Sequence, residues 1–167
     1  MTPSKTDFLA QLEQHKLIIY KICNSYCKNA SDRDDLAQEI TYQLWRSFNH
    51  FNGSVKFSTW MYRVALNVAI TFYRSTKTKQ NIIMLDEPAN EPVDNSDDYS
   101  ENENNIATLQ QFISELKELD KALMILYLEE KTYSEISEIL GITETNVATR
   151  ISRIKEKLKQ KFSTANK

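Results

Sequence analysis

The stretch 132–157 combines side chains that can bind DNA with a spacing that places them on one face of a helix. Gly141 can adopt the left-handed backbone that lets a chain turn sharply between two helices, and Thr143 can cap the second helix. Apolar residues from Val147 to Ile154 recur at helical spacing and would bury one side of it. The opposite side carries Thr145, Asn146, Thr149, Arg150 and Arg153. Such groups hydrogen-bond to base edges and phosphates, which favours a DNA-binding helix-turn-helix over a helical hairpin with a solvated face.

Aromatic and cationic residues interleave around the loop that contains Gly53. Bases of single-stranded DNA stack on aromatic rings, each for about 1–3 kcal/mol, while cations follow the phosphates. A role in the core is the alternative for Phe57 and Trp60. Arg63 and Asn67 lie one turn apart on the same helix face, which favours contact with a ligand. The full set is Phe51, Phe57, Trp60, Tyr62 and Tyr73 with Lys56, Arg63, Asn67 and Arg74.

The sequence lacks the patterns that carry covalent or metal chemistry. Cys23 and Cys27 lie four residues apart, but no further Cys or His completes a metal site, since His15 and His50 are isolated. Buried free thiols are therefore the prediction. There is also no phosphate-binding glycine loop and no nucleophile–base pair. We expect no cofactor, no metal, no small-molecule substrate and no enzymatic activity.

Charge divides the chain into three parts, although the net charge is only −2. Residues 1–79 have 11 Lys and Arg against 6 Asp and Glu, whereas residues 80–118 have 1 against 10. Residues 119–167 are again basic, with 9 against 7. Two basic ends around an acidic middle suggest two parts that face nucleic acid, joined by a tether.

Hydrophobic periodicity predicts helices in both basic parts. In the first, amphipathic helices are expected over about 8–28 and 32–48, with Ser31 as the cap of the second. The clearest helix begins at Phe57, and two apolar stripes run side by side along it. The first consists of Phe57, Trp60, Met61, Val64, Ala65, Val68, Ala69 and Phe72, and the second of Tyr62, Leu66, Ile70 and Tyr73. Residues 79–105 hold two of the three prolines and many acidic residues, which is typical of a disordered linker. Helical spacing resumes at Ile106 and continues to the end of the helix-turn-helix.

Four motifs, taken in order, strongly resemble the extracytoplasmic-function (ECF) type of bacterial RNA polymerase sigma factor. Each alone is weak, and their order along nearly the whole chain carries the resemblance. It implies an all-α fold of two small helical domains, a region-two bundle over 1–78 and a region-four helix-turn-helix over 106–167, joined by a flexible acidic linker over 79–105. The motifs are Asp34-Asp35-Leu36-Ala37-Gln38-Glu39, Leu44-Trp45-Arg46, the run from Phe57 to Ala69, and the run from Tyr133 to Gly141.

The resemblance also implies partners and contact residues. Region two would bind the coiled coil of the polymerase beta-prime subunit, and region four would bind the beta flap. An anti-sigma factor is a possible further partner. A solvated face is the alternative for Asp35 and Glu39, and a core role for Trp45. The implied polymerase-binding residues are Asp35, Gln38, Glu39, Tyr42 and Trp45.

Promoter DNA is the other implied partner. In the family, the loop before the third conserved helix captures a base flipped out of the minus-ten element, and the recognition helix reads the minus-thirty-five element. Ala148 stands where relatives often have Lys or Arg, which puts one contact in doubt. The implied minus-ten residues are Phe51, Asn52, Gly53, Ser54, Lys56, Trp60, Arg63 and Asn67. The implied minus-thirty-five residues are Thr145, Asn146, Thr149, Arg150 and Arg153.

Two other functions fit part of the sequence. A free-standing helix-turn-helix regulator would explain 106–167 but not the aromatic loop. A helical protein-binding adaptor would not need Arg150 or Arg153. The sequence shows no apolar run long enough to span a bilayer and no signal-peptide pattern, so we expect a cytoplasmic protein.

Overall fold

The computed structural model describes residues 4–83 and 101–165, and throughout these two ranges the regular structure is helical. The expectation of an all-α fold is confirmed. None of these helices is both long and apolar enough to cross a membrane. The α-helices are α1 (Lys5–Tyr26), α2 (Ala30–Ser47), α3 (Phe57–Ile83), α4 (Glu101–Glu115), α5 (Glu118–Leu128), α6 (Tyr133–Leu140) and α7 (Glu144–Ala165), and a short 3-10 helix spans Phe48–His50.

Helices α1, α2 and α3 pack against one another around the first part of the core. The first apolar stripe of α3 points into it, with Met61, Ala65 and Ala69 fully buried. Leu36, Ile40 and Leu44 of α2 meet that stripe at helical spacing, and Ile22 of α1 closes the third side. The first half of α3 is thus fixed against α1 and α2, and its polar face can present side chains outward.

The start of α2 differs from the prediction. The helix begins at Ala30, and Asn29 rather than Ser31 is its cap. The Asn29 side chain accepts a hydrogen bond from the backbone N–H of Asp32 at 2.7 Å. The Asn29 amide oxygen, two residues before Ser31, thus performs the capping role expected of the Ser31 hydroxyl. The helix therefore begins about half a turn earlier than predicted.

The turn between α6 and α7 has the geometry that the sequence predicts. Gly141 ends α6 with φ +69°, in the left-handed region. Thr132 and Glu135 form a capping box at the start of α6. Thr143 accepts a hydrogen bond from the backbone N–H of Asn146 at 3.1 Å, which caps α7. Gly141 and Thr143 together set the direction in which α7 leaves the turn, while the capping box fixes the start of α6.

Helices α4 to α7 form the second part of the core. Leu123 and Leu126 of α5 and Ile136 of α6 are fully buried. Val147 and Ile151 of α7 are buried with them, and Ile154 nearly so. The side of α7 that the sequence assigns to the core therefore lies in the core.

The C-terminal helices also pack on the N-terminal ones, since α5 and α6 contact α3 and α5 contacts α1. The second apolar stripe of α3 lies at this junction. Tyr62 is 2% exposed and Leu66 fully buried. Tyr73, on the same stripe, packs beneath the ammonium of Lys121 from α5. Neither Tyr62 nor Tyr73 is therefore free to stack on a base in this structure, in contrast to the expectation from sequence.

Both ends of the predicted linker are helical. Helix α3 continues to Ile83 and α4 begins at Glu101, so residues 79–83 and 101–105 belong to helices rather than to an irregular segment. The central part of that prediction, residues 84–100, lies outside the described residues.

Candidate nucleic-acid and protein interfaces

The outer face of α7 presents polar side chains in an ordered row. Thr145, Asn146, Thr149 and Arg153 are all exposed, whereas Val147 on the opposite side is fully buried. The Thr149 hydroxyl donates to the Thr145 carbonyl at 2.9 Å. Since the hydroxyl has lone pairs left over, this bond does not prevent it from accepting from a donor outside the helix. The face matches a recognition surface in both composition and exposure.

Arg150 is the member of this row that is already engaged. Its Nε donates to Asn146 Oδ1 at 3.0 Å, and its Nη1 donates to Asp120 Oδ1 of α5 at 3.0 Å. The Arg150 side chain is 37% exposed and that of Asp120 only 19%. Arg150 therefore joins α7 to α5, and contact with DNA through Nη1 would require it to leave Asp120.

An aromatic cluster supports the loop that follows the 3-10 helix. The ring of Phe51 lies 5.6 Å from that of Phe57, edge to face, and 5.2 Å from that of Trp60, centroid to centroid. Phe48 closes the cluster from below, with its ring nearly parallel to that of Phe51 at 6.3 Å. Phe57 is buried and belongs to the core, while Phe51 and Trp60 are half-buried and keep part of their surface at the loop.

The loop itself is shaped by Asn52 and Gly53. Asn52 Oδ1 accepts a hydrogen bond from the backbone N–H of Ser54 at 3.0 Å, which is an Asx turn. Gly53 has φ +75°, a conformation that other residues rarely adopt. The side chains of Asn52, Ser54 and Lys56 are exposed beside the aromatic cluster. The loop thus brings polar donors and two accessible rings together.

Arg63 and Asn67 extend this surface along α3. Both are exposed, one turn apart, on the side of the helix away from the core. Arg74, three turns from Arg63, does not join them, because its Nε donates to Glu118 Oε1 of α5 at 2.8 Å. Arg74 is therefore already paired within the fold, although its side chain is 66% exposed.

A third surface lies on α2. Asp35, Gln38 and Glu39 are exposed on its outer side. Tyr42 is 55% exposed and Trp45 44% exposed, although the Trp45 ring also packs on Phe8 with centroids 5.2 Å apart. Large aromatic side chains left open at the surface are typical of a protein-binding surface.

The two cysteines are buried free thiols. Burial raises the pKa of Cys23 to about 12 and that of Cys27 to about 11. A thiol held in its protonated form is a poor nucleophile and a poor metal ligand. Both side chains serve as small core residues between α1 and its neighbours.

Residue-by-residue reasoning missed the contacts between the two groups of helices. Lys121 is 1% exposed and is the one charged residue buried in the described part of the chain. Its position offers a signal, since it opens the apolar run from Ala122 to Leu126 and would have to lie on a buried face of any helix there. Glu118, which pairs with Arg74, stands outside that apolar run and gives no such signal.

Comparison with protein families matches both parts of the chain. Residues 12–79 match Sigma-70 region 2, and residues 106–158 match Sigma-70 region 4. The ECF RNA polymerase sigma factor SigW of Bacillus subtilis is 30% identical, over 86% of this chain and 82% of SigW. The sigma factor SigV of the same organism is 28% identical, over 85% and 82% of the two chains.

Two solved structures share the fold. CnrH, in complex with the cytosolic domain of CnrY, superposes with a TM-score of 0.68 at 17% identity and covers 96% of this chain and 90% of its own. The sigma factor RpoE of Bartonella quintana, in complex with the anti-sigma factor NepR, gives a TM-score of 0.69 at 15% identity, over 94% and 97% of the two chains. From its two family matches and its relatives, the chain belongs to the ECF-type RNA polymerase sigma factors, which direct transcription initiation.

Proposed function

We propose that this sigma factor divides promoter recognition between two surfaces, with α7 reading duplex DNA and the loop 51–56 holding a melted strand. The observation that carries the proposal is the outer face of α7. Its exposed polar row stands directly behind a helix-turn-helix turn, where a recognition helix meets the major groove. The minus-thirty-five residues are Thr145, Asn146, Thr149, Arg150 and Arg153.

The strand-holding surface begins at the Asx turn of the loop and continues along α3. A base flipped from the duplex loses a few kcal/mol of stacking and pairing, which stacking on Phe51 or Trp60 would offset. Lys56 and Arg63 are exposed and supply positive charge near the loop, and Asn67 offers an amide one turn after Arg63. Asn52, Gly53 and Ser54 shape the loop and expose its polar groups. Flipping and capture together shift the duplex toward the open state.

The exposed face of α2 is the proposed site for core polymerase. Asp35, Gln38 and Glu39 offer carboxylates and an amide to the beta-prime coiled coil, and Tyr42 and Trp45 offer apolar area. Region four, which we propose to comprise residues 106–167, would bind the beta flap. We place the region-two domain at residues 1–78. An anti-sigma factor would act by covering one of these surfaces.

The chemistry of RNA synthesis belongs to the polymerase in this proposal, and the sigma factor contributes binding alone. It acts in the cytoplasm, where the promoter and the polymerase meet. A free-standing regulator would bind duplex DNA through α7 without using the α2 face or the loop. A helical adaptor would use neither DNA surface.

Run-off transcription with purified core polymerase tests the function. We expect a promoter-specific transcript that requires this chain. Duplex binding without a transcript would favour the free-standing regulator.

Two substitutions on α7 then separate recognition from general charge. Arg153→Ala removes a proposed contact and should weaken promoter binding, by about 1–3 kcal/mol if it reads a base. Lys159→Ala removes a cation from an exposed position further along the same helix and serves as the matched control. Equal effects of the two would contradict the proposed recognition face, and no effect of either would favour the adaptor.

A further inference from the structure

A cavity of about 390 Å³ lies where the end of α1 meets α3, α4 and α5. Among the described residues that line it, none belongs to the surfaces proposed above for promoter DNA or core polymerase. Its volume falls in the range of pockets that bind small molecules, which starts at about 300 Å³. The cavity is therefore a candidate site that the proposed function does not use.

Three lysines line this cavity, namely Lys28 just after α1, Lys77 on α3 and Lys121 on α5. Lys28 and Lys77 are exposed, whereas Lys121 is only 1% exposed and is the most enclosed of the three. The ammonium of Lys121 lies 4.8 Å from the ring centroid of Tyr73 and 5.0 Å from that of Tyr26. The ring faces attract the ammonium but carry no full negative charge. These contacts therefore leave the positive charge of the cavity without a counterion.

The carboxylates that line the cavity are already bonded to other groups. Asp32 accepts a hydrogen bond from the side-chain amide of Asn29 at 2.8 Å, and Glu115 pairs with Lys161 at 2.7 Å. Within the two described ranges, none of the three lysines of the cavity forms an ion pair with a carboxylate. Since buried charges in proteins are usually paired, this arrangement favours an anion from outside the chain.

The electrostatics around Lys121 point in the same direction. Burial lowers the pKa of Lys121 to about 8, and the ammonium groups of Lys28 and Lys77 also lower it. The thiol of Cys27 and the carboxylate of Glu118 oppose this change without cancelling it. An anion beside Lys121 would raise its pKa again, because a negative charge favours the protonated form of a lysine.

We propose that the cavity binds a small molecule with one or two phosphate groups, whose oxygens accept hydrogen bonds from Lys28, Lys77 and Lys121. Lysine binds phosphate as a point charge, and a phosphate monoester carries about two negative charges near pH 7. Phe72, which is half-buried, lines the same cavity and offers apolar surface to the rest of the ligand. The proposal does not depend on the promoter surfaces, since anion binding to the free chain can be measured without DNA or polymerase.

Isothermal titration calorimetry of the free full chain tests the proposal, with inorganic phosphate, pyrophosphate and ADP as probes. A salt concentration of about 0.15 M screens exposed charges that lie more than about 8 Å apart, so general attraction to a basic surface contributes little. We expect saturable binding of pyrophosphate or ADP at one site per chain, with a Kd below about 1 mM. Tighter binding of ADP would support a phosphate ester as the ligand, and tighter binding of pyrophosphate would support a free diphosphate.

Substitutions then locate the site. Lys121→Met removes the enclosed charge and keeps a side chain of similar length, and it should weaken probe binding by about tenfold or more, because hydrogen bonds to charged groups are among the stronger ones. Lys28→Ala and Lys77→Ala remove exposed charges and should each weaken binding roughly three- to fivefold. Lys159→Ala removes an exposed cation of α7 outside the cavity and should leave the Kd unchanged.

Circular dichroism checks that each variant keeps its helix content. Lys28 and Lys77 are on the surface, so their variants test the site even if Lys121→Met does not fold. The absence of saturable binding for all three probes would overturn the proposal. So would an equal loss of affinity in Lys159→Ala and Lys28→Ala, which would mean general attraction to positive charge only. A wild-type Kd in folded Lys28→Ala, Lys77→Ala and Lys121→Met would also overturn it, because the probe would then bind elsewhere.

Discussion

The ion pair between Arg150 and Asp120 leads to a prediction about duplex affinity. If Arg150 contacts DNA through Nη1, it must first leave Asp120, and the free energy of that pair opposes binding. Exposed pairs contribute about 0.2–1 kcal/mol. Because the Asp120 side chain is only 19% exposed, we place this one near 1 kcal/mol. Asp120→Asn should therefore tighten binding to the upstream duplex by about fivefold, since 1.36 kcal/mol corresponds to a factor of ten.

Loss of one negative charge would also favour binding to DNA, so the effect needs a matched control. Glu115 of α4 pairs at 2.7 Å with Lys161, which lies on α7 like Arg150. Lys161 lies 11 residues beyond Arg150, about 16 Å along α7, and outside the proposed recognition face. Glu115→Gln thus makes the same change of charge and breaks a similar pair. Its effect on affinity measures the general electrostatic contribution.

The assay is a fluorescence-anisotropy titration of promoter fragments with the full chain and core polymerase, at several salt concentrations. Asp120→Asn is measured alone and together with Arg150→Ala, which makes a double-mutant cycle. We expect its gain in affinity to fall to that of Glu115→Gln when Arg150 is absent. If Arg150 contacts a phosphate, Arg150→Ala should also reduce the salt slope by about 0.9. An equal gain with and without Arg150 would refute the reasoning and leave Arg150 as a brace between α5 and α7.

Three further predictions concern the folded state. Gly141→Ala should destabilise the protein by about 1–2 kcal/mol in calorimetry, because a residue with a Cβ is strained at a φ of +69° even where the space around it is open. Gly141→Asn should cost less, and equal stability of all three chains would contradict this prediction. Thr132→Ala should lower the free energy of unfolding by about 1 kcal/mol in chemical denaturation, because it removes the cap of α6. Ser134→Ala on the same helix should leave that free energy nearly unchanged, and a larger loss for Ser134→Ala would argue against the cap. Alkylation of Cys27 by iodoacetamide at pH 8 should be about a hundredfold slower than in the unfolded chain, because its pKa is raised from 9.0 to about 11, and equal rates would mean that the thiol is not buried.

Most features that depend on neighbours in sequence could be predicted closely, although the cap of α2 is Asn29 and not Ser31. The turn at Gly141, the cap at Thr143 and the buried side of α7 each follow from a few adjacent residues. The exposure of Arg63 and Asn67 likewise follows from helical spacing once the first stripe of α3 is known to face the core. Local conformation and periodicity determine these features, and no distant partner is needed to fix them.

Features that depend on distant partners could not be predicted. The second stripe of α3 was recognised as apolar, but nothing near Tyr62 indicates that it meets residues some seventy positions away. The ion pair of Arg74 with Glu118 and that of Arg150 with Asp120 have the same origin. A side chain that the sequence suggests is available for a ligand can instead be paired with another residue of the folded chain. Only the tertiary structure shows which side chains are paired in this way.

The two tryptophans give the molecule a pair of built-in optical reporters. The chain has only Trp45 and Trp60, and both lie among the N-terminal helices. Trp45 is 44% exposed on the α2 face, whereas Trp60 is half-buried against Phe51 at the loop. Shielding from water should shift the emission of Trp45 to shorter wavelength when polymerase binds, and a base stacked on Trp60 should quench its emission. Single Trp→Phe variants would therefore let the docking of polymerase and the capture of the strand be timed separately, in one cuvette and without a dye.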